Sequence, residues 1–325
     1  MVNRIVVSYV LHGKDDLKHF KKFLFSVRKY PPPPSTILSV TVKEISDLQK
    51  IKMRRIISEM KLQLTVKFHH FPDIGYGLGT HYLINEMYNP RVIIFMTATS
   101  QFNHKDWFSL LVVPFKNTNI GVVGSMYSLS SIKTDYYLNA ETRIRVKFYL
   151  KLSKIQEQNA IYRSLRQRKH YMYFGKFHNI LANFIVKIFF QFYLRRNPIG
   201  YKANFPSFPN PSLRGTGLAV RGDLLHEIGR VPLTKEEELI FESGYTGISA
   251  EASRLGYKVL VCTPANKYSN IYDKELSETY TKVGSKAIVY DYHITKFDKL
   301  SKLKQSAFNY LISLDKQSSF LDPQD

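Results

Sequence analysis

The stretch "VIIFMTATSQFNHKDW", residues 92–107, places an apolar run, Val92 to Met96, directly before Thr97, Ala98, Thr99 and Ser100. Threonine hydroxyls donate and accept hydrogen bonds, but hard cations need carboxylate oxygens, for which they are poor substitutes. Carboxylates stand elsewhere. Glu44 and Asp73 each follow an apolar run of strand length, and "EEELIFES" (236–243) concentrates four more. "RGTG" (214–217) sets a guanidinium beside two glycines and a hydroxyl. Carboxylates suit proton abstraction, and an arginine or lysine suits the oxygens of a phosphate.

Elements that would position these groups are legible in the first ~125 residues, where strand and helix patterns alternate. "RIVVSYVL" (4–11), "TILSVTV" (36–42), "LQLTVKFHHF" (62–71), 92–97 and "IGVVGSMY" (120–127) read as strands. Helical spacing runs through 17–30, at Leu17, Phe20, Phe23, Leu24 and Val27, and "PPPP" (31–34) ends it. Further helices are expected at 45–60 and 77–88. The alternation predicts an α/β fold with a mainly parallel sheet and helices on both faces. Ligands on such sheets bind at the carboxyl ends of the strands, which gathers Tyr9, Glu44, Asp73 and Thr97–Ser100 around one cleft.

With 325 residues, 44% of them hydrophobic, the chain has enough material for a real core. Its single cysteine, Cys262, excludes a disulfide framework and a cysteine-based zinc site. The apolar stretch near the start is too short for a signal peptide, and no run of 18 apolar residues occurs. A cytoplasmic protein is expected. A net charge of +21 implies an anionic partner: nucleic acid, an acidic membrane face or a phosphate-bearing substrate.

Much of that charge sits in 131–205, with 15 Lys or Arg against 3 Asp or Glu, interleaved with aromatics. Within it, Asn179, Asn183, Lys187, Gln191 and Arg195 recur every four residues, which draws one narrow polar stripe on an otherwise apolar helix. Three readings stay open for this stretch: a helix packed inside the fold, an interfacial helix on an anionic membrane through 176–196, or a surface for single-stranded nucleic acid. No nucleic-acid-binding motif accompanies it.

Residues 206–270 return to ordered patterning. "NPSLRGTGLAVRGDLLHEIG" (210–229) reads as a glycine-broken loop, a short strand and a helix; 236 to about 255 reads as a second helix, stopped by Gly256 and followed by the strand "KVLVC". From 271 the chain is polar and basic, with a helix expected at 298–314.

This order of elements resembles the GT-A fold of inverting glycosyltransferases, close to glycosyltransferase family 2, over residues 1 to about 270. The resemblance divides the chain into a nucleotide-sugar-binding half (1–130), a basic aromatic helical insertion (131–205), an acceptor and catalytic half of the same domain (206–270) and a C-terminal helical tail (271–325). It implies that Tyr9 and Glu44 meet the base and ribose, that Asp73 with Gly77 to Gly79 in "DIGYGLGTHYLINE" passes beneath the nucleotide, and that Gly215, Thr216 and Gly217 line the acceptor side. "RGTGLAVRGDLLHEIG" is the most specific match. In "FESGYTGISAEASRLGYKVLV" the family's catalytic base falls on Glu242, with Glu251 too close to the final glycine and expected to face solvent.

Two departures concern metal. The family's Asp-any-Asp is replaced by Thr97-Ala98-Thr99, and the histidine expected after the last strand is replaced near Ser269 in "TPANKYSN". His104 and Asp106 are rival ligands by proximity, though Asp106 reads as the cap of the following helix. The resemblance therefore implies transfer from a nucleotide-sugar donor to a glycan or lipid-linked acceptor with no divalent metal or other cofactor. Arg214, and after it Lys267, would hold the leaving diphosphate. The competing expectations are a catalytically inactive GT-A-like scaffold in glycan assembly and, behind it, a nucleic-acid-binding protein.

Overall fold

Helix starts follow local chemistry. In the computed structural model, Asp16 accepts from Lys18 N ahead of α1 (Leu17–Lys29), and Ser46 and Gln49 form a reciprocal capping box ahead of α2 (Asp47–Met60). Residues 4–73, 75–129, 131–134, 188, 191–192, 195–196, 198–207, 209–265, 268–272, 287–291, 294 and 299 are described. The helix expected at 298–314, save for residue 299, most of the 131–205 segment and Lys267 lie outside them.

The chain divides into two units, Met1–Leu129 with Asn210–Gln305, and Ser130–Pro209 with Ser306–Asp325. The first is built on an eight-stranded sheet. Its strands are β1 (Ile5–His12), β2 (Ile37–Lys43), β3 (Thr65–Phe71), β4 (Val92–Thr97), β6 (Ile120–Gly124), β9 (Leu218–Arg221), β10 (Lys258–Cys262) and β11 (Tyr268–Asn270). The order across the sheet is β11-β10-β6-β9-β4-β1-β2-β3. β3, β2, β1 and β4 run parallel; β9 runs antiparallel between β4 and β6, and β11 antiparallel to β10. The expected α/β class, a mainly parallel sheet with helices on both faces, is the one that forms. Beside it, β7 (Tyr127–Ser128) pairs antiparallel with β8 (Ser212–Leu213), which fastens the chain just ahead of the β9 entry.

Alternation along β1 separates the two faces. Val7, Tyr9 and Leu11 join Leu38, Val40, Val42, Ile94 and Met96 in one apolar core under α1, α2 and α4 (Trp107–Val112). The opposite face meets α3 (Tyr76–Tyr88), where His81 Nδ1 lies 2.8 Å from Ser8 Oγ. That face mixes buried polar groups with apolar ones: Ser8, Ser39, Thr41, Lys43, Thr80, His81 and Asn85 are all inside, and the His81 ring stacks on Phe95. Burial holds the His81 imidazole far below its ordinary value, at about 3, with Lys43 adding to the effect.

Three elements differ from the sequence reading. The helix expected from 236 to 255 is two, α6 (Lys235–Ser243) and α7 (Ile248–Arg254), with α5 (Gly222–Ile228) before them. Gly244 is extended after α6, and Gly247 N bonds to Gly244 O, so the chain turns where two glycines leave room. Glu251 does not face solvent; it is largely buried and bound to Arg254. The segment after 271 also returns to the fold. β12 (Val289–Tyr290) pairs antiparallel with β5 (Gln101–Phe102), and Ala287, Ile288, Val289 and Ile294 are buried.

In the second unit the described residues include a 3-10 turn, Gly200–Asn204, and Ser131 Oγ donating to Pro206 O. Of the five residues in the polar stripe, Gln191 and Arg195 are described and exposed, while Asn179, Asn183 and Lys187 are not described.

Candidate active site

Because β1, β2, β3, β4 and β6 run parallel and β9 enters against them, the segments after each parallel strand and before β9 share one edge. Along it stand His12, Glu44, Asp73, Thr97 to Ser100 and Arg214 to Gly217. β2 and β4, which lead to Glu44 and to the Thr97 loop, flank β1, so about 10 Å separates those two strands across the sheet.

At the β2 end, His12 Nε2 lies 3.0 Å from Glu44 Oε2 and 3.2 Å from Asp73 Oδ2. Its Nδ1 accepts from Lys14 N at 3.1 Å, so the ring proton sits on Nε2 and points at both carboxylates. Asp73 Oδ1 lies 3.7 Å from Lys43 Nζ, and this buried ammonium also donates to Tyr76 O. Burial lowers the Lys43 pKa against the opposing pull of Asp73 and Glu238. Glu44 itself has φ +44°, and Gly13 packs so closely that a Cβ there would lie 1.9 Å from Glu44 O.

Tyr9 corrects the expectation that it meets the base. It is wholly buried, stacked on Phe23 at 4.0 Å, and its hydroxyl donates to Ala98 O at 2.7 Å. It supports the 97–99 loop from beneath and offers no surface to a ligand.

Thr97 is similarly occupied. Its Oγ1 lies 2.9 Å from both Ser100 Oγ and Thr216 Oγ1, which ties the β4 loop to the β9 entry. Gly217 N donates to Phe95 O, and Gly217 O accepts from Ser125 N. At φ +66°, with Ser125 Oγ 2.1 Å from where a Cβ would stand, Gly217 admits no side chain. Thr99 is half-buried in the same loop.

The catalytic candidate lies beside this entry. Glu242 Oε1 accepts from Gly215 N at 2.8 Å and stands 3.6 Å from Arg214 Nε; the side chain is 17% exposed. Among the described residues both contacts fall on Oε1, which leaves Oε2 for another partner.

Gly77 and Gly79 serve a different end from the one expected. A Cβ on Gly79 would meet Pro232 O at 2.3 Å, and one on Gly77 would meet Glu238 Oε1 at 3.0 Å. Protein, not nucleotide, fills the space beside them. Glu238 was missed by sequence reasoning. Its Oε1 accepts from Gly77 N at 2.8 Å and Leu78 N at 3.1 Å. The one available signal was its place four residues before Glu242.

Neither candidate set fits a divalent ion. Thr97 and Thr99 bring no carboxylate, and Thr97 Oγ1 is already held. Asp106 makes no cap bond, and its ionic neighbour among the described residues, His104 Nδ1, is 4.0 Å away; Ser269 is a strand residue paired with Val261. His12, Glu44 and Asp73 bring ligand atoms within 4.8 Å of one another, the one such group among the described residues. An ion there would have to displace the Nε2 proton and compete with Lys43, which already serves Asp73 as a cation.

No protein-family model matches the chain, and no curated protein does. It is similar to S. aureus TarS 1-349 solved with UDP-GlcNAc, at 14% identity, TM-score 0.31, covering 37% of this chain and 33% of that one. It spans about a third of that chain. It is also similar to the mannosyltransferase PcManGT from Pyrobaculum calidifontis in complex with GDP-Man and Mn2+, at 11% identity, TM-score 0.43, covering 99% and 76%. A third is core-mannan synthase A from Aspergillus fumigatus in its Mn/GDP form, at 8% identity, TM-score 0.38, covering 79% and 65%. Identities of this size do not transfer a substrate or a metal from one protein to another.

Proposed function

We propose that this chain is an inverting glycosyltransferase of the GT-A type, moving a sugar from a nucleotide-sugar donor to a hydroxyl of a glycan or lipid-linked acceptor. The observation that carries it is Glu242: a mostly buried carboxylate with one oxygen held by a backbone N–H, on the same sheet edge as the Glu44–His12–Asp73 cluster. That cluster offers acceptors, which suits the hydroxyls of a ribose.

In the reaction, Glu242 Oε2 takes the acceptor's O–H proton as that oxygen bonds to the sugar's anomeric carbon. The bond from that carbon to the nucleoside diphosphate breaks, and the diphosphate leaves with the electron pair. Arg214 stands where a cation could meet that charge, with Lys267 as the second cation. No step runs through a divalent ion, because the donor sets do not suit one. Segment 176–196 is the proposed seat for an anionic membrane, supported by the exposure of Ile188 and Phe192 beside Arg195 and Arg196. A cytoplasmic location on the inner membrane face belongs to the same reading.

A second reading, an inactive scaffold, draws on the Arg214–Glu242 contact and on the closed Thr97–Ser100–Thr216 network. Labelled UDP, GDP, CMP and dTDP sugars, incubated with the chain with and without EDTA, separate the two. Turnover of one donor, unaffected by EDTA, is expected. Binding without turnover of any donor would favour the scaffold, and salt-sensitive retention on single-stranded DNA with no response to sugars would favour a nucleic-acid partner.

A further inference from the structure

Glu238 and Glu242 lie on one face of α6, one turn apart. Glu242 receives Gly215 N of the β9 entry, while Glu238 receives the two amides that open α3. The other Glu238 oxygen is held by Lys235. Glu238 is almost fully buried, and Gly77 is the residue type that lets its carboxylate approach. On the far side of the same α3 turn, Lys43 donates to Tyr76 O and reaches Asp73. A continuous series of charged contacts therefore runs from the donor-side carboxylates, through the first turn of α3, to the helix that carries Glu242.

We propose that Glu238 is a positioning residue that locks α6 onto α3 and so sets Glu242 against Gly215, coupling the donor side of the cleft to the base. This rests on Glu242 being the base. Glu238 does not touch the reacting atoms; it acts through the register of α6. A carboxylate at a helix N-terminus satisfies amides that have no partner within the helix, so removing it frees that turn and, with it, the seat of Glu242.

Amide hydrogen exchange tests the coupling without any substrate. In Glu238→Ala, exchange at Gly77 and Leu78 should rise, and exchange at Gly215, whose amide bonds to Glu242 and not to residue 238, should rise with it by ~10-fold, while sheet amides such as Val122 stay protected. Faster exchange at Gly77 and Leu78 alone would reduce Glu238 to a cap and overturn the proposal. Faster exchange throughout would make it a general stabiliser and overturn the proposal equally. Lys235→Ala, at a half-exposed position, is the milder variant and should shift the same three amides in the same direction; no shift there together with failed folding of Glu238→Ala would also count against it.

On the active enzyme, Glu238→Ala should lower kcat by ~10²-fold, as expected for a misplaced catalytic group, with donor KM within about threefold of wild type. Glu238→Gln keeps the oxygen that accepts both amides and should restore most of kcat. Equal loss in the Gln and Ala variants would overturn the proposal. If the wild type turns over no sugar nucleotide, the functional reading fails, and the Gly215 exchange still decides the coupling.

Discussion

Glu242 uses Oε1 for Gly215 N and Arg214, so in the proposed reaction an acceptor's proton goes to Oε2. Glu242→Gln keeps the Gly215 bond but cannot take the proton. Transfer should fall ~10²–10⁴-fold, or roughly 3–5 kcal/mol of barrier, with donor binding by thermal shift nearly unchanged. Full activity would place the base elsewhere, and a rate abolished by EDTA would place a metal in the site. His81 makes a second prediction at this scale. An unfolded histidine titrates at its ordinary 6.5, whereas the buried ring holds out to about 3. Between those values the unfolded chain binds the extra proton, so the stability supplied by the neutral ring is complete above pH 6.5 and is lost as pH falls toward 3. The slope is at most about 1.4 kcal/mol per pH unit. Urea midpoints of wild type and His81→Gln at pH 6.5 and pH 4.5 should converge in acid; a constant gap would show that His81 protonates freely in the fold.

Glycines decide how the elements meet. Gly217 and Gly256 both have positive φ, at +66° and +85°, but only Gly217 also has protein where a Cβ would stand. Gly256, past the end of α7, opens onto space. Gly256→Ala should therefore cost about 1 kcal/mol, the strain of the left-handed backbone. Gly217→Ala adds the collision with Ser125 and Val289 and should cost ~1–3 kcal/mol more. Chemical denaturation of the two variants measures this, and equal costs would mean that the β9 entry yields easily around the site.

At the scale of the molecule, the charge of +21 is uneven, with the 131–205 stretch carrying a surplus of 12. Peripheral binding to vesicles of anionic lipid should follow, weakened as salt shortens the ~10 Å screening length of 0.1 M to ~3 Å at 1 M. Vesicle flotation at both salt levels is the measurement. Equal recovery on neutral and anionic vesicles would remove charge as the cause. Among the described residues no helix is long and apolar enough to cross a membrane. Cys262, buried in β10 with its thiol pushed up to about 12, gives the first unit no reactive sulfur.

Periodicity by itself determined the strand and helix alternation, because local burial writes a period of two or 3.6 into neighbouring residues. It located α1, α2, β4 and β10 within a residue or two, and it put Glu44, Asp73 and Thr97 at one edge. It could not separate α6 from α7, since the apolar spacing continues across Gly244 and Gly247 while the backbone does not. Tyr9 was set at the cleft by its place near a strand's carboxyl end, because a strand end looks alike whether its ring turns to the cleft or onto Phe23. Tertiary structure alone decided the partners of Gly77, Gly79 and Glu238, which meet across more than 150 residues of chain. The return of β12 to β5 was equally hidden, since two paired residues are too few to leave a pattern. Such contacts depend on which helices the sheet brings side by side, a property of packing that no local window of sequence contains.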